Sequence, residues 1–318
     1  MSIYFLLSLI LPSNSSPLGA LPARFRRQRV LIIGCGDIGL RVARLLHGRA
    51  NVMALTSSSP RVAQLRAHNI MPLLGNLDNA ATLRRLAGLA TQVVHLAPPP
   101  SDDPHLKTDP RTLAVLRALR LRSAPRAVVY GSTSGVYGDC QGQWINETRP
   151  VNPATPRAYR RVDAEAQLRW FGRSAGVSVH ILRIPGIYAA DRDGGTPRAR
   201  LAKGSPVLQA SDDVYTNHIH ADDLARACLA ALRRGKPQRI TNASDDTDLK
   251  MGDYFDLAAD LYGLSRPARV SRTDAAALLP AMQMSFMSES RRLHNQRLKT
   301  ELRLRLLYPH VSAGLAAS

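Results

Sequence analysis

The sequence predicts an α/β fold: a doubly wound parallel sheet followed by a smaller, mainly helical C-terminal lobe. Three observations predict it. Short apolar stretches alternate with helical patterns through the first two hundred residues. One of these alternations, residues 30–39, reads Val-Leu-Ile-Ile-Gly-Cys-Gly-Asp-Ile-Gly. Beyond about residue 245 the alternation stops, and helices joined by loops remain. Strands alternating with helices pair in parallel through right-handed crossovers, which puts helices on both faces of the sheet.

Taken in order, strands are predicted at 30–33, 51–55, 70–74, 92–97, 126–131, 177–184 and 238–242. Helical patterns lie between them at 38–47, 60–67, 79–88, 109–122, 156–172 and 221–234, and in the tail at 251–262, 272–280 and 288–304. The first strand carries the strongest signal. Its four apolar residues run into Gly34-x-Gly36-x-x-Gly39, and an Arg/Leu-rich helix follows at once. This is the Rossmann-type turn. Gly34 permits the tight bend, Gly36 lets the backbone approach a pyrophosphate, and Gly39 lets helix and strand pack closely. The first-turn amides at Asp37 and Ile38 face the anion. The alternative is a glycine-rich turn with no ligand.

The end of the second strand bears on the cofactor. Enzymes that select NAD place Asp or Glu about 20 residues after the glycine loop, to accept from the ribose 2′-OH. Here the strand ends in Thr56-Ser57-Ser58-Ser59-Pro60-Arg61, with no carboxylate. Thr56, Ser57 and Arg61 suit a 2′-phosphate, which charge-assisted hydrogen bonds hold well. NADP is therefore expected over NAD. The plainer alternative is a serine-rich turn with Pro60 opening a helix and Arg61 in solvent.

Composition narrows the classes. The 318 residues are 45% hydrophobic, enough for a full core. The net charge of +19 raises the question of nucleic acid. Only five of the 43 basic residues are lysine, the arginines are scattered over most predicted helices, and aromatics are 5%. Scattered arginine with few stacking rings favours solvated helix faces over a nucleic-acid surface. Three cysteines (35, 140, 228) form no Cys-x-x-Cys pair, which fits a reducing, cytoplasmic setting. Residues 3–11 are mostly apolar, but no positive segment precedes them and the stretch is too short to span a bilayer. Residues 1–28 read as a disordered or mis-called N-terminal extension, with an atypical signal peptide as the alternative. The expected division is 29–185 and 207–245 for the dinucleotide-binding domain, and 186–206 and 246–318 for the substrate lobe.

Several stretches together carry a resemblance. They are the glycine loop, Val93-Val94-His95-Leu96-Ala97, Val128-Val129-Tyr130-Gly131-Ser132-Thr133-Ser134-Gly135-Val136-Tyr137-Gly138, Leu182-Arg183-Ile184-Pro185-Gly186-Ile187-Tyr188, Asn217-His218-Ile219-His220-Ala221-Asp222-Asp223-Leu224-Ala225 and Ile240-Thr241-Asn242-Ala243-Ser244. In this order they resemble the extended short-chain dehydrogenase/reductases of the epimerase/dehydratase type, and the ending at 295–309 is similar to an atypical branch. The resemblance implies that Leu96 and Ala97 bind the cofactor, that Pro185 covers the nicotinamide, that Asn76 touches adenine, and that Thr133, with Ser134 beside it, is the active-site hydroxyl. For Thr133 the alternative is a hydroxyl that merely satisfies a strand end.

The catalytic pattern departs from the family. Its acid–base pair is Tyr-x-x-x-Lys on one helix, yet no lysine occurs between 108 and 202. Two registers fit the segment 155–165. Anchoring on Glu165 puts Arg157 and Arg161 at the tyrosine and lysine sites; anchoring on Tyr159 puts Asp163 at the lysine site. Residues four apart share a helix face, so Tyr159 and Arg161 do not. The Glu165 register is favoured. It supplies fixed positive charge without a group that titrates near neutrality. His218-x-His220-x-Asp222-Asp223 has the look of a metal-ligand run, but its surroundings match the family signature, and no metal is expected. Cys35 reads as a small buried side chain. The resemblance implies an NADP-dependent oxidoreductase or epimerase/dehydratase-like enzyme with a small-molecule substrate, sugar nucleotides being common in the family, as a monomer or homodimer. The missing pair leaves a second reading open: a non-catalytic NADP(H)-binding redox sensor or regulator.

Overall fold

The computed structural model describes residues 28–101, 103 and 105–316. The N-terminal extension expected over 1–28 therefore lies, save for its last residue, outside the described residues. Seven strands form one parallel sheet: β1 (Gln28–Ile33), β2 (Ala50–Thr56), β3 (Met71–Leu74), β4 (Gln92–His95), β5 (Ala127–Thr133), β6 (Ser178–Ile184) and β7 (Arg239–Asn242). Their spatial order is β7-β6-β5-β4-β1-β2-β3. The direction of winding reverses between β1 and β4. In open α/β sheets that switch point opens a crevice at the carboxyl ends of the strands.

The crossover helices are α1 (Asp37–Leu46), α2 (Arg61–Ala67), α3 (Pro110–Arg120), α4 (Pro156–Ala175) and α5 (Ala221–Arg234). The link between β3 and β4 winds as a 3-10 helix, Ala80–Leu86, where an α-helix is predicted. Side chains alternate across a strand. Val30 and Ile32 thus join Val42 of α1 and Leu224 and Cys228 of α5 on one face. Leu31 and Ile33 join Val115 of α3 and Leu168 and Phe171 of α4 on the other. Covered on both faces, β1 is a continuous apolar run.

Helix α4 starts where the sequence places it. Thr155 Oγ1 accepts from the Ala158 amide at 3.2 Å, and Pro156 occupies the first position. The helix stops at Gly176, whose φ of 64° is left-handed. After β7 the chain enters α6 (Met251–Tyr262). Phe255 and Ala258 of α6 pack with Tyr188, Leu201, Val207 and Val311 as a small separate core. The predicted helix over 288–304 is not formed. Arg292–Leu293 instead pairs in parallel with Trp144–Ile145, and only Gln296–Thr300 is helical. Among the described residues no helix is long and apolar enough to cross a membrane.

Candidate active site

The glycine turn is built for close approach. Gly34 has φ of 84°, and a Cβ there would lie 2.3 Å from the Ala97 nitrogen. Ala97 and Leu96 are held against the turn by their amides, which donate to the Ile33 carbonyl at 3.0 and 2.7 Å. Gly39 sits 3.2 Å, measured from its ideal Cβ, from the Gly34 carbonyl oxygen and from Ile32 Cγ2, so helix and strand touch. At Gly36 the same construction meets open space. No side chain caps the start of α1. Its first-turn amides are therefore left to other partners, and the cradle they form fits a pyrophosphate. Burial pushes the Cys35 thiol up to about 11, leaving it an inert, protonated side chain.

At the end of β2, Thr56 Oγ1 accepts from the Ser58 amide at 3.2 Å, while Ser57 is exposed. Arg61 does not stand in solvent alone. Its Nη2 donates to the Cys35 carbonyl at 2.6 Å, which brings a guanidinium from α2 onto the glycine loop. Asn76 is exposed, and its Oδ1 accepts from the Asp78 amide at 3.0 Å. Thr56, Ser57, Arg61, Asn76 and Ala97 lie outside the wall of the main cleft.

That cleft, of about 750 Å³, opens at the switch point. Gly34, Gly36, Asp37, Ile38, Gly39 and Leu96 form one side of it. Thr133, Ser134, Arg157, Arg161 and Pro185 also line it. Thr133 Oγ1 accepts from the Gly135 amide at 3.2 Å, and Ser134 is buried. Tyr159 is the candidate the structure sets apart. It does not line the cleft; its half-exposed ring packs under Lys107, with Nζ 4.8 Å from the ring centroid. Asp163 likewise turns away, accepting from the Asp109 amide at 2.7 Å and from Gln167 at 2.5 Å. The physical reason is helical phase: 157 and 161 share the cleft face, and 159 and 163 share another.

Arg161 Nη1 donates to the Tyr130 hydroxyl at 2.9 Å and to the Gly131 carbonyl at 2.7 Å. Arg157 lies over Phe286 at 5.1 Å; burial, then neighbouring Arg161, lowers its pKa. Glu165 stands behind the cleft. It accepts from Ser132 Oγ at 2.6 Å and makes a two-point pair with Arg183 at 3.1 and 2.7 Å.

The lobe contributes groups that the sequence reading missed. Arg200 stacks over Phe255 at 4.4 Å, and its buried Nε and Nη2 have no protein partner. Burial lowers its pKa, the direction expected for an unpaired buried cation. Arg192 reaches the cleft from the loop after Tyr188 and donates to Asp37 Oδ2 at 2.8 Å. His218 packs 4.3 Å from the Tyr254 ring, and burial lowers its pKa to about 4. Only His218 lies in a motif the sequence offered; Arg192 and Arg200 are two arginines among many in a loop-rich stretch without periodicity. His220 has a local task, its Nδ1 accepting from the Asp222 amide at 3.2 Å to cap α5. Among the described residues no three His, Cys, Asp or Glu side chains gather as a metal site.

A family model described as the NAD dependent epimerase/dehydratase family matches residues 30–244. The chain belongs to this family. The family is named for its dependence on NAD, and the sheet of this chain is the Rossmann-type sheet described above. A conserved protein of unknown function from Silicibacter pomeroyi is 30% identical, with a TM-score of 0.76 over 91% of this chain and 97% of that one. UDP-glucose 4-epimerase of Thermotoga maritima, solved with UDP-glucose, shares the fold at a TM-score of 0.74 and 19% identity, over 91% of this chain and 96% of that one. UDP-glucose 4-epimerase of Streptococcus mutans is 26% identical over 186 residues, 50% of this chain and 56% of that protein. The chain spans about half the length of the curated relatives it matches.

Proposed function

We propose that this family member is an NADP-dependent oxidoreductase or epimerase/dehydratase whose substrate is a hydroxyl or carbonyl compound carrying an anionic group, of the sugar-nucleotide kind. One observation carries the reading: a single cleft joins the glycine loop to Arg200, a partly buried arginine whose Nε and Nη2 are buried without a hydrogen-bond partner. A buried unpaired charge is costly unless a ligand completes it. Gly34, Gly36, Gly39 and the amides of Asp37 and Ile38 would hold the pyrophosphate. Thr56, Ser57 and Arg61 would hold the 2′-phosphate, supported by the reach of Arg61 to the Cys35 carbonyl. Asn76 would face adenine, with Leu96, Ala97 and Pro185 along the nicotinamide. When bound, the nicotinamide exchanges a hydride with substrate.

Thr133 and Ser134 would orient the reacting oxygen. Arg157 and Arg161 would stabilise negative charge developing on it, as fixed positive charge in a partly dry cleft does. Arginine stays protonated near neutrality, so neither replaces tyrosine as a proton carrier. A second reading draws on the same fact. Arg161 is already bonded to Tyr130 and Gly131, which suits a protein that binds NADP(H) and senses its redox state without turnover. Calorimetric titration of the full chain with NADPH, NADP and NADH, followed by NADPH-consumption and isomerisation assays on UDP- and dTDP-sugars, separates the two. Turnover supports the enzyme. Binding that differs between NADPH and NADP, with no turnover on any of these sugars, supports the sensor. If none of the three dinucleotides binds, both readings fall.

A further inference from the structure

Arg192 has no place in the glycine-loop motif, yet it lies over it. Its Nη1 donates to Asp37 Oδ2 at 2.8 Å, and both side chains are about 29% exposed on the cleft wall. Asp37 occupies the first turn of α1, where the helix favours negative charge. Its carboxylate is thus a resident anion beside the cradle that the pyrophosphate would fill, and Arg192 is its counter-charge. The backbone around Arg192 is fixed. Ala189 and Gly195 bond to each other's backbone at 3.3 Å, and the Gly195 amide donates to the Arg192 carbonyl at 2.9 Å. Next door, Asp191 holds the loop down on buried Arg41 at 2.5 Å. Arg41 also binds Asp222 at 2.5 Å and Asp37 Oδ1 at 3.0 Å. Asp37 therefore keeps a cation partner if Arg192 leaves it.

We propose that Arg192 is a cofactor-binding residue that exchanges Asp37 for the dinucleotide pyrophosphate, strapping the cofactor from the lobe side. The inference rests on the reading that the glycine loop binds a dinucleotide. Arginine suits the role because its guanidinium fork matches phosphate oxygens at two points, and the pyrophosphate, with one negative charge on each phosphate, carries more charge than the single carboxylate it displaces. Only the side chain moves; the Asp191–Arg41 anchor stays in place. Asp37 then acts as a holder that keeps Arg192 poised and competes with the ligand for it.

The test is calorimetric titration of the full chain with NADPH, comparing wild type with Arg192→Ala, Arg192→Lys, Asp37→Asn and the Arg192→Ala/Asp37→Asn pair, with thermal unfolding as the folding check. Arg192→Ala is expected to weaken NADPH roughly tenfold or more, as loss of a charge-assisted contact does. Arg192→Lys should fall between. Asp37→Asn should bind as tightly as wild type or more tightly, and its gain should shrink when Arg192 is absent. If Arg192→Ala binds within twofold of wild type, the strap is refuted while the cofactor reading stands. If Arg192→Ala and Asp37→Asn weaken binding equally, the pair is a structural brace and the proposal fails. If wild type binds neither NADPH nor NADH, the cofactor reading fails first.

Discussion

In the proposed reading, Arg61 is the residue on which the choice of dinucleotide turns. Its bond to the Cys35 carbonyl aims a fixed positive charge at the glycine loop from the side where a 2′-phosphate would lie. Arg61→Ala is expected to weaken NADPH about tenfold or more while leaving NADH within twofold, because only the former loses a charge-assisted partner; calorimetry with both ligands reads the ratio. Equal loss for both would mean that Arg61 only shapes the loop. Gly34 is the opposite kind of residue, important for what it lacks. A methyl group there needs left-handed backbone and meets Ala97 at its nitrogen. Gly34→Ala should cost about 2 kcal/mol or more, seen as a lower urea midpoint. Gly36→Ala should do the reverse, leaving the urea midpoint near wild type because a methyl there meets no protein atom, while weakening NADPH because the methyl stands where the pyrophosphate would approach.

At the scale of elements, the sequence and the structure agree wherever burial writes a pattern. All seven sheet strands fall at their predicted places, and for β1 the cause is plain, since a parallel strand covered on both faces is an uninterrupted apolar run. Helices α5 and α6 match their predicted limits, 221–234 and 251–262. Agreement ends where pairing is long-range. Arg292–Leu293 joins Trp144–Ile145, some 150 residues away in sequence, and a two-residue ladder has no period to read. The site divides the same way. The glycine loop, Thr133, Pro185 and the Arg157/Arg161 face are legible because motif or helical phase fixes them. Arg192 and Arg200 are not, since loops bring them in. The start of α4 is one local signal with a measurable weight. Thr155→Ala removes the bond to the Ala158 amide and should lower stability by about 1 kcal/mol, read from urea unfolding. Because Arg157 and Arg161 stand in the first two turns, fraying there should also show as weaker ligand binding.

The whole molecule should be sensitive to mild acid. Burial lowers His95 to about 3 and His180 and His218 to about 4, from an ordinary value of 6.5. Above pH 6.5 these rings are neutral in both states. Below it the unfolded chain binds protons that the folded chain refuses until about pH 3–4, so stability falls as pH falls. Asp245, raised by burial to about 7 from 3.8, works in the other sense, since the folded chain binds its proton first. Asp109 and Asp213, raised by burial as well, reduce the net effect at the acid end. Three histidines against Asp245 leave two protons, or roughly 2–3 kcal/mol per pH unit, and His220, also lowered by burial, acts in the same sense as the three. The urea midpoint is therefore expected to drop between pH 6.5 and 5. His180→Gln, which retains a partner for Thr241, should flatten that slope; an unchanged slope would contradict the buried-histidine account.

The sheet order has a kinetic consequence. The glycine turn hangs from β1, which is flanked on both sides by β2 and β4, whereas α2 and its Arg61 lie between β2 and the four-residue edge strand β3. Amide hydrogen exchange should find β1 among the last segments to open and β3 among the first, as interior and rim strands differ. The molecule would then lose the fingers that tell one dinucleotide from another before it loses its grip on dinucleotides altogether. Under gentle denaturant, discrimination should fade while holding persists.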